Sequence, residues 1–375
     1  MVFVAFDKER VMKVALVLAA SLFAGVLSNA TLARTDESVS WDAKGAAAYL
    51  DGRQAWWLTW PSAARDHDTA CVSCHTALPY ALARPLLRAA LNERGPSPSE
   101  AKQMDQIVKR VRAWGDMAPW YPDQTRGLPK TAESRGVESV INAVVLSRRD
   151  AADGVLSADG RQAFSNLWAQ QMRTGDLSGA WAWLTFRLEP WEGAQSAYFG
   201  AALAAVAVGS APGGYASSAD IQPNVALLRG YLTKQFEHQH TLNRLMFLWA
   251  SAKLTGVVTP EQRDAVVAEV LGKQRSDGGW GTASLGPWQR VDGTALDTAS
   301  DGYATGLAAF ALQQAGLPST HPQVKKGLDW LVAHQDKTTG RWPASSLNKQ
   351  RDPESDAGRF MSDVATAYAV LALTP

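Results

Sequence analysis

The sequence predicts an all-α fold, about six helical hairpins in two concentric layers, and three observations carry that prediction. Half-wet amphipathic helices alternate with helices that are apolar almost all round, and long loops rich in Gly, Pro and Trp recur between the partners. In the first kind, Ala101 to Trp114 sets Met104, Ile107, Val108 and Val111 at helical spacing, while Lys102, Asp105, Lys109 and Arg112 fall elsewhere on the wheel. Gln323 to Gln335 repeats the pattern with Val324, Gly327, Leu328 and Leu331 inside and Lys325, Lys326 and Asp329 outside. The second kind comprises Ala197 to Val208, Tyr303 to Leu312 and Val364 to Leu373. A helix with no wet face is buried on all sides or lines an apolar cavity.

In chain order, residues 1–30 come first. Val14 to Leu27 is an uncharged run preceded by Lys8, Arg10 and Lys13 and followed by Ser28-Asn29-Ala30. A basic stretch, a short apolar core and a small-x-small site predict a secretory signal, since a membrane span needs about 20 residues. An uncleaved N-terminal anchor is the alternative, and Met12 is an alternative start. Either way the rest of the chain is expected outside the cytoplasm, in a periplasm, with no membrane span after signal cleavage.

The helical segments then pair as six hairpins over 42–92, 97–148, 159–209, 222–255, 260–316 and 320–374, one domain spanning 42–374. A repeat of this kind cannot bury its own faces, so the hairpins are expected to stack into a closed or curved array. An open helical solenoid is the competing arrangement. Helix starts are expected at Ser300 or Asp301 and at Ser362 or Asp363, residues that cap N-termini.

Charge excludes one class of partner. The 375 residues carry 37 basic and 36 acidic side chains, and without the leader's Lys8, Arg10, Lys13, Asp7 and Glu9 the balance is 34 against 34. Nucleic-acid binding needs clustered basic residues in excess, so no nucleic acid is expected.

The chain has 2 Cys, both within Cys71-Val72-Ser73-Cys74-His75. The C-x-x-C-H spacing suits covalent attachment of one haem c. Two thiols add to two vinyl groups, and the adjacent His75 ligates iron from one face. A zinc site, a thioredoxin-like redox pair and a plain disulfide compete. Zinc lacks a second Cys pair, the redox pair lacks a β-α-β context, and the disulfide would close a very small loop. A sixth ligand decides between a closed redox centre and an open iron. The motif falls in the loop of the first hairpin, and the hairpins expected to flank it bring Met117 or Met361 as distal ligand, ahead of His238 or His240. Trp120, Asp301, Tyr303 and Asp363 also reach that rim.

The loops between partners share wording. Gln335 is followed by Gly340-Arg341-Trp342, Gln274 by Gly278-Gly279-Trp280, and Gln171 by Gly179-Ala180-Trp181. The fullest copy, Lys326-Gly327-Leu328-Asp329-Trp330-Leu331 leading to Gln335 and Trp342, resembles the QW repeat of squalene–hopene and oxidosqualene cyclases. Tyr49-Leu50 with Gln54 and Trp56-Trp57 resembles a degenerate copy. The resemblance covers most of 42–374 and implies the α/α toroid of terpenoid cyclases and protein prenyltransferases. In that family the Gln and Trp tie successive hairpins together, which implies structural roles for Gln171, Gln274, Gln335, Trp181, Trp280 and Trp342.

The resemblance does not extend to cyclase chemistry. Those cyclases protonate substrate with an Asp of a D-x-D-D motif, whereas Asp297-Thr298-Ala299-Ser300-Asp301 has the wrong spacing. Asp66-His67-Asp68 is not the D-D-x-x-D metal clamp of ionising terpene synthases. The expectation is therefore an exported c-type haem redox protein on a cyclase-like toroid. It would transfer electrons with a redox partner protein, or act as a haem-dependent oxidoreductase on a hydrophobic, isoprenoid-like molecule. A non-catalytic haem electron carrier and a non-redox cyclase- or prenyltransferase-like enzyme are the alternatives.

Overall fold

Helices account for nearly all regular structure in the computed structural model, which describes residues 40–374; the leader expected at 1–30 lies outside the described residues. In order they are α1 (Ala43–Thr59), α2 (Ala77–Ala90), α3 (Pro98–Arg112), the single turn α4 (Asp123–Arg126), α5 (Lys130–Asp153), α6 (Ala158–Gln170), α7 (Ser196–Ser210), α8 (Gln222–Gln235), α9 (Thr241–Lys253), α10 (Pro260–Gly272), α11 (Gly302–Gln314), α12 (Pro322–His334) and α13 (Phe360–Leu373). Among the described residues the only sheet is Ala64–Arg65 antiparallel to Thr69–Ala70. The fold is all-α. No helix among the described residues is long and apolar enough to cross a membrane.

The order of helix contacts follows from which helices lack a wet face. The second helix of each pair touches the next in the series α2, α5, α7, α9, α11, α13, and α13 touches α2, so the six follow one another in a cycle. Their first partners, α1, α3, α6, α8, α10 and α12, each pack against the helix they precede or its neighbour. Every residue from Tyr198 to Val208 of α7 and from Gly302 to Leu312 of α11 is buried. By contrast α10 buries only Val266 and Val270, a single stripe. Close approach of the inner helices uses small residues: a Cβ on Gly306 of α11 would sit 2.7 Å from the Ala369 nitrogen of α13.

Aromatic side chains fill the inside of the cycle. Trp249 of α9 meets Phe310 of α11 edge-on at 5.2 Å, Tyr303 lies 5.8 Å from Tyr368, and the Tyr368 hydroxyl reaches the Met246 sulfur at 3.5 Å.

Three loops repeat one hydrogen-bond pattern. The Gln171 amide donates to Gly179 and Asn224, that of Gln274 to Gly278 and Gln323, and that of Gln335 to Gly340 and Asp42, all backbone carbonyls. The indoles of Trp181, Trp280 and Trp342 donate back to Leu167, Val270 and Leu331 of the preceding helix. Each Gln thus ties its own loop to the start of the next first helix, and the Gln335 bridge to Asp42 joins the last hairpin to the first. At that joint Gly340 (φ +77°) lies so close to α1 that a Cβ would meet the Gly45 backbone at 2.2 Å.

Two expectations are corrected. Gln54, aligned above with the bridging glutamines, is fully buried with neither amide atom hydrogen-bonded. The bridging glutamines sit at or just past a helix end, whereas α1 runs on to Thr59 and keeps Gln54 inside the helix. Asp301 caps α11, accepting from the Tyr303 and Ala304 amides at 2.9 Å each. In the last hairpin, however, Ser362 and Asp363 are not caps: α13 starts at Phe360, and buried donors from the first hairpin claim the Asp363 carboxylate.

Gln335→Ala is expected to destabilise the protein by about 1–3 kcal/mol in urea unfolding, because it leaves the buried Gly340 carbonyl short of a donor. Gln54→Met is expected to be neutral or stabilising, because it removes an unpaired buried amide of similar volume.

Candidate functional site

Buried polar groups hold the Cys71–His75 segment from behind. Arg110 of α3 and Glu138 of α5, both fully buried, form a two-pronged ion pair at 2.5 and 3.0 Å, and a third Arg110 nitrogen donates to the Thr69 hydroxyl at 2.8 Å. The Gln106 side chain accepts from the Ala70 amide at 3.0 Å, and the Trp57 indole donates to the Cys71 carbonyl at 2.6 Å. The Ser73 hydroxyl, inside the motif, accepts from the Thr76 and Ala77 amides at 3.1 Å each. It thereby satisfies donors that the first turn of α2 would otherwise leave open.

His75 sits at the start of α2 in an aromatic cage. Its ring lies 3.9 Å from Phe360, 5.0 Å from Trp57 edge-on and 6.0 Å from Trp191. Nδ1 is 2.9 Å from the Thr76 hydroxyl, which donates to Asp363 Oδ2 at 2.8 Å; Asp363 Oδ1 accepts from the Tyr49 hydroxyl at 2.7 Å and from Arg53 Nε at 2.8 Å. Burial, reinforced by the Arg53 charge, pushes the His75 pKa down to about 3, so the imidazole is neutral. Burial pushes the Asp363 carboxyl up, and Arg53 opposes it.

Both cysteines are free thiols and buried. Burial pushes Cys71 up to about 12 and Cys74 well above its ordinary value, with the Glu192 charge adding to both. They are therefore thiols, not thiolates, at neutral pH.

Cys74, His75, Trp191, Glu192, Phe360 and Met361 line a cleft of about 110 Å³. A second cavity of about 290 Å³ shares Ser346 and Arg351 with it and adds Arg290. The outer wall is the loop after Trp342. Asn348 clasps the Glu189 backbone at 2.7 and 3.0 Å and accepts from the Val291 amide at 2.9 Å, tying three hairpins together over the site.

Of the residues expected from the motif and its flanking hairpins, Cys74, His75 and Met361 share this cleft, while Cys71 lies behind it in the core. Met117 is buried elsewhere, its carbonyl accepting from Arg135. His240 caps α9 through Nδ1 and packs on Trp288. Among the described residues no group of three or more His, Cys, Asp and Glu is placed to hold a metal ion.

Glu192 was not foreseen. It follows Pro190 and Trp191 in a loop where nothing in residue spacing marks a half-buried acid beside His75. Burial raises its carboxyl to about 7, against the pull of Lys130 and Arg65.

The donor set suits a haem: two thiols and a neutral imidazole within five residues, with the imidazole's Nε2 free of any hydrogen bond from the described residues. Volume is the stricter condition. The cleft alone falls below the roughly 300 Å³ at which ligand pockets begin, and the second cavity lies beside it across the shared Ser346 and Arg351. No protein-family model matches the chain, and no curated protein matches it.

A carboxyl raised on folding holds its proton in the native state over pH values where the unfolded chain has lost it. That contribution to stability is complete below about pH 4.5 and is lost as pH rises through about 7. Urea unfolding at several pH values is therefore expected to show the wild type gaining on Glu192→Gln as pH falls from 8 to 5. A difference constant across that range would mean an ordinary, solvated carboxylate.

Proposed function

We propose that this chain is an exported c-type haem redox protein that passes electrons at the rim cleft, with one haem held by Cys71, Cys74 and His75. The observation that carries this function is the arrangement of His75, whose Nδ1 is tied back to Thr76 while Nε2 is left without a protein partner beside Cys74. When bound, the haem supplies a one-electron couple. The chain's part would be to hold it: Cys71 and Cys74 would carry the two thioether links, His75 would supply an imidazole nitrogen, and Met361, which lines the same cleft, would supply a thioether sulfur. Trp57, Trp191 and Phe360 keep water from the imidazole.

The cyclic order of the inner helices and the three Gln and Trp bridges support the α/α toroid of the QW-repeat proteins as the framework. Periplasmic location rests on the leader sequence. The aromatic filling of the ring supports electron transfer over turnover of an isoprenoid-like molecule inside it. Leu188 and Val291 are exposed on the loops that border the cleft and offer a redox partner an apolar landing. Oxidation of a hydrophobic small molecule beside the haem is the second function that an observation favours, because Leu188, Trp191, Ala357, Phe360 and Met361 give the cleft a largely apolar lining.

Co-expression with a cytochrome c maturation system is expected to give a protein that stains for haem after denaturation. The stain should vanish in the Cys71→Ala, Cys74→Ala double variant, and an unstained wild type refutes the proposal. Met361→Ala is expected to abolish the methionine-to-iron absorption band of the oxidised protein, with Met117→Ala leaving it intact.

A further inference from the structure

The hydrogen bonds around Asp363 have a direction, and following it assigns a proton. Asp363 is 1 % exposed and faces Arg53, itself nearly buried, with Nε at 2.8 Å from Oδ1. The guanidinium does not give up its proton, so this contact favours the ionised carboxylate, which only accepts. The Thr76 hydroxyl, 2.8 Å from Oδ2, must then donate to it. A hydroxyl has one hydrogen, and that hydrogen is now spent. What Thr76 offers His75 at 2.9 Å is a lone pair, so Nδ1 must be the protonated ring nitrogen.

We infer that Asp363, acting through Thr76, is a positioning residue that locks His75 in the tautomer with hydrogen on Nδ1 and a bare lone pair on Nε2. The imidazole is thereby set to bind a Lewis acid before any is present. Ring orientation is held by the same surroundings: Phe360 lies at 3.9 Å, tilted by 30°, and Trp57 abuts edge-on at 5.0 Å, so exchanging the two nitrogens requires the cage to open. The carboxylate is shared with Tyr49 and Arg53 of α1, and this keeps it aimed at Thr76. This property belongs to the haem-free chain. Only its effect at iron rests on the function proposed above, where a ligand polarised by a linked carboxylate favours the oxidised metal.

Long-range proton–nitrogen correlation spectra of the full, haem-free chain at pH 7 test the assignment. The wild type is expected to show His75 with a protonated Nδ1 and an unprotonated Nε2. Thr76→Ser should keep that state. Thr76→Val, close in shape, should release it to a mixture of tautomers. Asp363→Asn should reverse it, because an amide NH2 facing Thr76 turns the hydroxyl toward Nδ1. A wild type carrying its proton on Nε2, or a Thr76→Val protein with an unchanged tautomer, overturns the inference. Thr76→Val leaves the Asp363–Arg53 pair intact, so it remains informative if Asp363→Asn fails to fold.

In the haem-loaded protein, Thr76→Val is expected to favour reduction by up to tenfold in the equilibrium constant, 59 mV for a one-electron couple. An unstained wild type whose His75 tautomer is nevertheless as assigned would overturn the haem function alone and uphold the lock.

Discussion

The buried carboxylate of Asp363 is where the closure of the fold and the chemistry of its site depend on the same atoms. It draws Tyr49 and Arg53 from α1 and Thr76 from the start of α2 onto the last helix, across 287 positions of chain between Thr76 and Asp363. Breaking such a pair from one side strands a buried charge, at a cost of about 3–5 kcal/mol. The same contact stations His75 against Phe360, so ring closure and imidazole orientation stand or fall together.

Around this joint the other ties are weaker and repeated. The Gln171, Gln274 and Gln335 bridges each satisfy two carbonyls and link one hairpin to the next, and the Trp indoles pin each loop to its own helix. The first hairpin lacks a bridging Gln of its own, since Gln54 makes no hydrogen bond. Its Tyr49 and Arg53 provide a charged tie to α13 instead. Aromatic side chains pack between α9, α11 and α13, and a cleft lies where three loops meet over His75.

That rim combines groups whose ionisation burial has altered. A neutral imidazole, the protonated thiol of Cys74 and a carboxyl raised to about 7 share a small volume, with the Cys71 thiol behind them. Desolvation is the leading cause in each case, so the cleft's chemistry is a consequence of burial among the packed hairpins.

Helical periodicity and the absence of a wet face are local properties, and they determined the all-α class and which helices are buried all round. The Cys71–His75 spacing is also local, and it marked the two thiols and the imidazole as candidates before any fold was known. Three things lay beyond any spacing: that Met361 rather than Met117 shares the cleft, that Asp363 serves Thr76 and Arg53 instead of capping a helix, and that Glu192 lines the same cleft as His75. Each depends on a contact between segments far apart in the chain, and only the packing of the hairpins decides which polar groups lose water together and must find one another.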